Sequence, residues 1–240
     1  MCTQHSKLMQ DNIKIAFFGD SITQEGRYIT AMSDYFNRHM SEKGLELINL
    51  GLSGETISGL SENPAEPRPC VFDRANKLMK ENKPDWIIVC YGMNDGGFSP
   101  FSEDRLDAYK KGIYSMIELA KAHNAGVILV TPTPFDAYSS RVVVNRIPVS
   151  ADNDFFDGQH PYEGYNDVLK KYRDWILSID DEYVHMVVDI YTPLSDFIKD
   201  ERKKDASYTY GDGVHPYMAG HCVIARTLLQ EIFQIDGVDF

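Results

Sequence analysis

The amino-acid sequence predicts an α/β fold in which a parallel β-sheet lies between two layers of helices. Five short segments are almost continuously apolar, as is typical of strands that are buried on both faces. Segments with the apolar spacing of amphipathic helices lie between and after them. No linker, repeat or low-complexity segment interrupts this alternation, so we expect residues 1–240 to form a single domain, a three-layer α/β/α sandwich.

The predicted strands are short and rich in Ile, Val and aromatic residues. They comprise residues 13–18, 45–50, 86–91, 127–130 and 184–190. Their hydrophobicity does not alternate along the chain, which indicates that helices cover both faces of the sheet. Strands of this kind run parallel and are joined by helical crossovers.

The predicted helices are recognised by apolar residues that recur every three or four positions. They comprise residues 28–43, 72–82, 106–123, 165–179 and 218–233. In the first of them, Ile29, Met32 and Phe36 fall on one face. Two long stretches, residues 135–162 and 191–211, show no such pattern and are predicted to be irregular. Connections of that length often carry functional residues.

Charge and cysteine content restrict the partners of the chain. The formal net charge is −12, so its surface would repel nucleic acids and anionic membranes. The four cysteines, Cys2, Cys70, Cys90 and Cys222, form no CxxC pair and have no spacing typical of a zinc site, so no metal is predicted. The N-terminal residues lack the apolar core of a signal peptide. We therefore expect a cytoplasmic protein, or a secreted one if a signal peptide has been removed.

The first strand ends in Gly19, Asp20 and Ser21. A serine between a buried strand and a helix lies at the carboxyl edge of the sheet, where ligands of open α/β sheets bind. The start of that helix supplies backbone N–H groups and a dipole that favours negative charge. Asp and Ser are also preferred as helix N-caps, so this motif by itself is compatible with a purely structural role.

The second and third strands end in further candidate groups. Gly54 lies in NLGLSGET, residues 49–56, and offers an unobstructed backbone N–H. Asn94 lies in YGMND, residues 91–95, and offers a side-chain amide. Such donors stabilise the oxyanion that forms during acyl transfer. The alternative for both is an ordinary turn, since Gly, Asn and Asp are common in turns.

A carboxylate and an imidazole follow near the C-terminus in Asp212-Gly-Val-His215-Pro. A serine hydroxyl becomes a good nucleophile when a histidine accepts its proton, and that histidine needs a carboxylate to fix its tautomer. Asp157-Gly-Gln-His160-Pro nearly duplicates this motif. We favour His215 as the base because its motif follows the fifth strand, when the sheet is complete, whereas His160 precedes that strand.

Taken together, these four blocks resemble the SGNH (GDSL-type) hydrolase family over essentially the whole chain. The resemblance implies that Ser21 is the nucleophile, His215 the general base and acid, and Asp212 the residue that orients His215. It implies an oxyanion hole formed by the backbone N–H groups of Ser21 and Gly54 and the side chain of Asn94. It also implies a five-stranded parallel sheet in flavodoxin-like order and a carboxylic-ester hydrolase that needs no cofactor.

The substrate predicted from the sequence is a small-molecule or oligosaccharide ester. The stretches that flank the site are rich in aromatic residues, which can stack on sugar rings or pack the long loops. Residues predicted to contact substrate are Asp20, Asp95, Phe135, Tyr138 and Tyr217. Because no extended apolar lid is evident beyond residues 142–144, we expect a short acyl group, such as acetyl on a carbohydrate. A lysophospholipase or thioesterase is the alternative acyl hydrolase.

Two other classes of protein share parts of this pattern. A flavodoxin-like, non-catalytic binding module has the same alternation of strands and helices, but it favours a Ser/Thr-rich phosphate loop after the first strand and has no use for His215. A metal-dependent phosphatase could use Asp20, Asn94 and His215 as ligands. Hydrolysis of an ester in the presence of a chelator distinguishes these two classes from a serine esterase.

Overall fold

The structure, a computed structural model, describes Leu8 and residues 10–240. Its five strands form one parallel sheet in the order β2-β1-β3-β4-β5, which confirms the predicted flavodoxin-like order. The strands are β1 Lys14–Gly19, β2 Glu46–Asn49, β3 Trp86–Cys90, β4 Gly126–Val130 and β5 Val184–Val188. Cys2 and most of the polar N-terminal segment lie outside the described residues.

Eight α-helices are described, and seven of them cover the sheet. They are α1 Ser21–Glu25, α2 Arg27–His39, α3 Ala75–Asn82, α4 Glu103–Ala122, α5 Ala137–Val144, α6 Tyr165–Leu177, α7 Tyr191–Lys204 and α8 Met218–Phe233. One buried cluster joins α3, α4 and α6 to one face of the sheet, and a second joins α1, α2, α7 and α8 to the other. The predicted three-layer arrangement is therefore confirmed.

Alternation along β1 shows how one strand serves both clusters. Ile15 and Phe17 belong to the cluster on the side of α2 and α8, and Ala16 and Phe18 belong to the opposite one. Successive side chains of a strand point to opposite faces, so a strand with helices on both sides must be apolar at every position. All four side chains are fully buried.

The two stretches predicted to be irregular both contain a helix, so this part of the prediction is wrong. Helix α7 begins at Tyr191, immediately after β5, and has only a narrow apolar stripe that includes Leu194 and Ile198. Pro193 would break a helix at an interior position, but it lies in the first turn of α7, where a proline is tolerated. Helix α5 is capped by Asp136, whose carboxylate accepts a hydrogen bond from Ser139 N, and its exposed valines conceal any amphipathic pattern.

The register of the sheet brings the candidate residues to one edge. Phe17 of β1 pairs with Asn49 of β2, and Gly19 of β1 pairs with Cys90 of β3. The three strands therefore end side by side, and the segments that carry Ser21, Gly54 and Asn94 all leave from the same edge. Among the described helices, none is both long and apolar enough to cross a membrane.

Candidate active site

Ser21 is the first residue of α1, directly beyond the end of β1. Asp20 caps this helix, because its buried carboxylate accepts a hydrogen bond of 3.0 Å from Ile22 N. A Cβ atom at position 19 would lie 2.1 Å from Thr23 Oγ1, so only glycine fits there. The sharp connection from strand to helix therefore holds the Ser21 hydroxyl at the carboxyl edge of the sheet.

His215 lies in a tight turn that is organised by Asp212. Asp212 Oδ1 accepts hydrogen bonds from the backbone N–H groups of Val214 and His215, at 2.9 and 2.7 Å. The other oxygen, Oδ2, lies 2.9 Å from His215 Nδ1. Gly213 has a φ of +88°, and a Cβ atom there would lie 2.4 Å from Asp136 O. The turn thus needs glycine, and it packs closely against the start of α5.

The structure brings the three predicted triad residues together. His215 Nε2 lies 2.7 Å from Ser21 Oγ. With Nδ1–H donating to Asp212, Nε2 carries the lone pair that can accept the serine proton. The geometry therefore provides a hydroxyl, an imidazole and a carboxylate in the order that nucleophilic catalysis requires.

The electrostatics of the dyad are those of a paired acid and base. Burial opposes ionisation of Asp212, but the hydrogen bonds from the His215 ring and backbone outweigh it and hold the pKa of the carboxyl well below its usual value. The hydrogen bond to Asp212 in turn raises the pKa of His215, although burial acts in the opposite direction. Asp212 is therefore ionised at neutral pH, and His215 is a stronger base than a free imidazole.

Two of the predicted oxyanion donors lie in neighbouring loops at this edge. The loop after β2 is fastened to β1 by a hydrogen bond of 3.0 Å from Leu52 N to Gly19 O. Gly54, with a φ of +74°, accepts a hydrogen bond of 3.3 Å from Arg68 Nη1 through its carbonyl oxygen. Asn94 Nδ2 donates to Glu55 O at 3.1 Å, which fixes the orientation of its amide group.

A buried ionic cluster beneath these donors was not predicted from the sequence. The fully buried Glu55 carboxylate accepts two hydrogen bonds of 2.6 Å from Arg74 and one of 2.5 Å from the Tyr91 hydroxyl. Arg74 Nη2 also donates to Leu50 O at 2.6 Å. Because Glu55 O holds the Asn94 amide, the cluster fixes the position of that donor. Glu55 lies in the recognised motif, but Arg74 lies outside every motif, so the sequence gives no signal for the pair.

Arg146 is a second residue that sequence analysis missed. Its Nη1 donates to Asp212 O at 2.7 Å, and its Nη2 lies 3.3 Å from Asp212 Oδ2. It follows α5, in the stretch predicted to be irregular, where an isolated arginine between valines and a proline resembles a surface residue. Only the tertiary structure reveals that it contacts the candidate triad.

Three of the five residues predicted to contact substrate, Asp20, Asp95 and Phe135, are buried and make contacts within the fold. Asp20 caps α1, and burial raises its pKa to about 6. Asp95 is fully buried and accepts hydrogen bonds from Ile57 N and Ser58 N at 3.0 and 2.8 Å. Phe135 packs on the ring of Tyr165, with 5.7 Å between ring centroids. Each of the three keeps less than 5% of its surface exposed.

The other two predicted substrate contacts are exposed. Tyr138, on α5, keeps 41% of its surface exposed, and the guanidinium group of Arg202 lies 4.8 Å from its ring centroid. Tyr217, which precedes α8, keeps 49% exposed. Both tyrosines neighbour the His215 turn, Tyr217 in sequence and Tyr138 through α5. They remain candidates for contact with a bound substrate.

The duplicate motif adopts the same turn but does not meet a serine. Asp157 Oδ1 accepts a hydrogen bond of 2.6 Å from His160 N and lies 3.2 Å from His160 Nδ1. Asp157 N donates to His160 O at 3.3 Å, as Asp212 N does to His215 O. The His160 side chain is 40% exposed. Within residues 10–240, the only Asp–His turn that reaches a serine hydroxyl is that of His215.

The sequence hypothesis of a metal site used Asp20, Asn94 and His215. In the structure Asp20 caps a helix, Asn94 donates to a carbonyl group and His215 faces Ser21, so the three do not share a coordination site. The described part of the chain contains no group of three or more His, Cys, Asp or Glu side chains that could hold a metal ion.

Comparison with known proteins gives consistent matches. Residues 17–223 match the GDSL-like Lipase/Acylhydrolase family. An acetylxylan esterase from Geobacillus stearothermophilus is 24% identical over 240 residues, which cover 91% of this chain and 93% of that protein.

Solved structures of esterases share the fold. A variant of Axe2, an acetyl xylan esterase from Geobacillus stearothermophilus, gives a TM-score of 0.61 at 22% identity and covers 97% of this chain and 100% of its own. The acetyl xylan esterase AlAXEase gives a TM-score of 0.63 at 23% identity and covers 91% and 98% of the two chains. These likenesses confirm the α/β architecture.

Proposed function

Because the chain belongs to the GDSL-like Lipase/Acylhydrolase family and is a carboxylic-ester hydrolase, we propose that it cleaves its ester through an acyl-enzyme formed on Ser21. The observation that carries this proposal is the distance of 2.7 Å between His215 Nε2 and Ser21 Oγ, with Asp212 on the far side of the imidazole. A serine hydroxyl that donates to a carboxylate-paired histidine is activated for attack on a carbonyl group.

The first half-reaction forms the acyl-enzyme. Ser21 Oγ attacks the ester carbonyl carbon while His215 Nε2 takes the hydroxyl proton, and the negative charge moves to the carbonyl oxygen. The Asn94 amide and the backbone N–H groups of Ser21 and Gly54 are the donors we assign to that oxyanion. His215 then gives its proton to the leaving alcohol as the bond between the acyl carbon and the alkoxy oxygen breaks.

The second half-reaction returns the enzyme to its starting state. A water molecule replaces the alcohol and loses a proton to His215 as it attacks the acyl carbon. The tetrahedral intermediate collapses, Ser21 Oγ recovers the proton and the carboxylic acid leaves. Asp212 stays ionised throughout and stabilises the imidazolium that forms in each half-reaction.

We further propose that the substrate carries a short acyl group, such as acetyl, on a carbohydrate. The match to an acetylxylan esterase supports this substrate class, and the exposed rings of Tyr138 and Tyr217 beside the His215 turn offer faces on which a sugar could stack. The net charge of −12 suits a neutral substrate. A longer acyl chain would need the exposed valines of α5, residues 142–144, and we treat that as the competing outcome.

The mechanism is tested with p-nitrophenyl acetate in excess EDTA. We expect hydrolysis by the wild-type protein and none above background by Ser21→Ala. Intact-mass analysis after rapid mixing should show a gain equal to one acetyl group on the wild-type chain only. Ser41→Ala, at an exposed position whose hydroxyl makes no hydrogen bond in the described chain, is the matched control and should keep full activity.

Substrate class is tested with p-nitrophenyl esters of increasing chain length beside acetylated xylo-oligosaccharides. The proposal expects the largest kcat/KM for acetyl esters and a fall as the acyl chain lengthens. A maximum at eight or more carbons would instead favour the lysophospholipase or thioesterase alternative. Retained turnover in Ser21→Ala would overturn the acyl-enzyme mechanism itself.

A further inference from the structure

The environment of the Asp212 carboxylate contains one contact that a triad does not require. Oδ1 is occupied by the backbone N–H groups of the turn, and Oδ2 faces His215 Nδ1. Arg146 Nη2 approaches the same Oδ2 at 3.3 Å, and Arg146 Nη1 donates to the Asp212 carbonyl oxygen at 2.7 Å. One guanidinium group therefore contacts both the side chain and the backbone of Asp212.

Arg146 is itself held in place. Its side chain is only 16% exposed, and Nη1 also donates to Ser140 Oγ at 3.2 Å. Its backbone N–H donates to Ser140 O at 3.1 Å, which fixes the residue to α5. At the start of α5, Asp136 N donates to Gly213 O at 2.8 Å. The Arg146 side chain is thus held by Ser140 as well as by Asp212, and the turn that carries Asp212 is fastened to the start of the same helix.

The position of this cation has a consequence for His215. Four charged or titratable groups act electrostatically on the ring. They are Asp212 in its own turn, Asp20 after β1, Arg146 beyond α5 and His221 on α8. The hydrogen bond to Asp212 raises the pKa of His215, Asp20 raises it further, and Arg146 lowers it. Burial keeps the pKa of His221 below its usual value, so that ring is neutral when His215 must act as a base.

We propose that Arg146 is a positioning residue of the triad, which orients the Asp212 carboxylate towards His215 and partly offsets its negative charge. This inference rests on the proposed function, in which His215 is the base. A base must be neutral at the working pH to accept the serine proton, and it must still hold that proton in the transition state. The hydrogen bond and charge of Asp212 raise the pKa of His215 and so favour its protonated form. The positive charge of Arg146 limits that effect, and its two contacts hold the carboxylate oxygen and the backbone carbonyl of Asp212 together.

Three variants separate charge from hydrogen bonding. Arg146→Ala removes both, Arg146→Gln keeps a neutral donor, and Arg146→Lys keeps the charge without the fork. Arg141→Ala is the matched control, because Arg141 lies on α5, is exposed, and its side chain makes no ion pair or hydrogen bond within residues 10–240. The Arg141→Ala substitution changes the net charge of the protein by the same amount as Arg146→Ala.

The first measurement is the pH dependence of kcat/KM for p-nitrophenyl acetate. We expect the acid-side inflection to move up by about 0.5 pH unit or more in the Ala and Gln variants and to stay near the wild-type value in the Lys and Arg141→Ala variants. We expect kcat at the pH optimum to fall roughly ten-fold in the Ala variant, as for the loss of one charge-assisted hydrogen bond. An equal loss of activity at every pH, with no shift of the inflection, would overturn the proposal and leave Arg146 as a structural anchor.

The second measurement does not depend on turnover. An NMR titration of the His215 ring reads its pKa directly in the wild-type protein and in the Lys and Gln variants. The Gln variant should titrate at higher pH than the Lys variant, even if no ester proves to be a substrate. Identical titrations would overturn the role of Arg146, whereas a shifted titration with inactive wild-type protein would count against the proposed function alone. Circular dichroism confirms that each variant is folded.

Discussion

His215 Nε2 lies 2.7 Å from Ser21 Oγ, although 194 residues separate the two in the chain. Ser21 reaches this point because β1 ends directly before it, and His215 because its turn is fastened to α5 and precedes α8. The two residues meet because the segments that carry them both lie at the carboxyl edge of the same parallel sheet. The contact between Ser21 and His215 is therefore a property of the folded scaffold. The geometry of the site and of its supporting contacts leads to four predictions.

Replacing the base should abolish turnover, whereas replacing its duplicate should not. His215→Ala removes the only group within hydrogen-bonding distance of Ser21 Oγ in the described chain, so we expect kcat to fall roughly 10⁴-fold or more. His160→Ala, at the equivalent position of the duplicate turn, is the control and should have a modest effect on KM. The measurement is steady-state hydrolysis of p-nitrophenyl acetate. Loss of kcat in His160→Ala with retention in His215→Ala would move the base to the other turn.

Asp212→Asn should change both the rate and its pH dependence. Wild-type His215 has a raised pKa, so kcat/KM should fall as the pH drops through an inflection above 6.5, where the ring becomes protonated. The amide removes the principal cause of that rise, so the inflection should move to lower pH while kcat falls about 10⁴-fold. Asp157→Asn makes the same change in the duplicate turn and should leave the profile unaltered. An unchanged inflection in Asp212→Asn would contradict the assignment of the dyad.

Asn94→Ala should reduce the stabilisation of the transition state more than it reduces the affinity for substrate. The Asn94 amide is held by Glu55 O, and its remaining N–H is the donor that we assign to the oxyanion. We expect kcat to fall about 10²- to 10³-fold with little change in KM, because the charge develops only in the transition state. Asn37→Ala, at an exposed position on α2, is the control. A rise in KM with unchanged kcat would instead place Asn94 in ground-state binding.

Arg74→Met should destabilise the fold by leaving the Glu55 carboxylate buried without its cation. Glu55 is fully buried, and both of its oxygens accept hydrogen bonds from Arg74. Loss of one partner of such a pair costs about 3 kcal/mol of unfolding free energy, measured by urea denaturation. Lys77→Met, on the helix α3 that follows Arg74, breaks only an exposed pair with Glu81 and should change stability by less than about 0.5 kcal/mol. Equal effects of the two substitutions would show that the buried pair contributes no more to the free energy of unfolding than the exposed pair does.

Most of the fold was predictable because burial on both faces leaves a continuous apolar signature in the sequence. Each of the five predicted strands overlaps an observed strand, and each of the five predicted helices overlaps an observed helix. The two helices in the stretches predicted to be irregular, α5 and α7, have weak apolar patterns because α5 exposes its valines and α7 buries only a narrow stripe. Their stability depends on contacts with distant residues, such as the ion pair between Asp136 and Arg202.

The sequence by itself determined the sheet, its carboxyl edge and the types of residue that follow each strand, because periodicity and strand-end motifs are local properties of the chain. Only the tertiary structure decided which of the two Asp–His turns meets Ser21, since the turns at His160 and His215 have nearly the same local geometry. It also decided that Asp95 and Phe135 are buried and that Arg146 contacts Asp212. These outcomes depend on distances between segments that lie far apart in the chain, and no local pattern of residues encodes such distances.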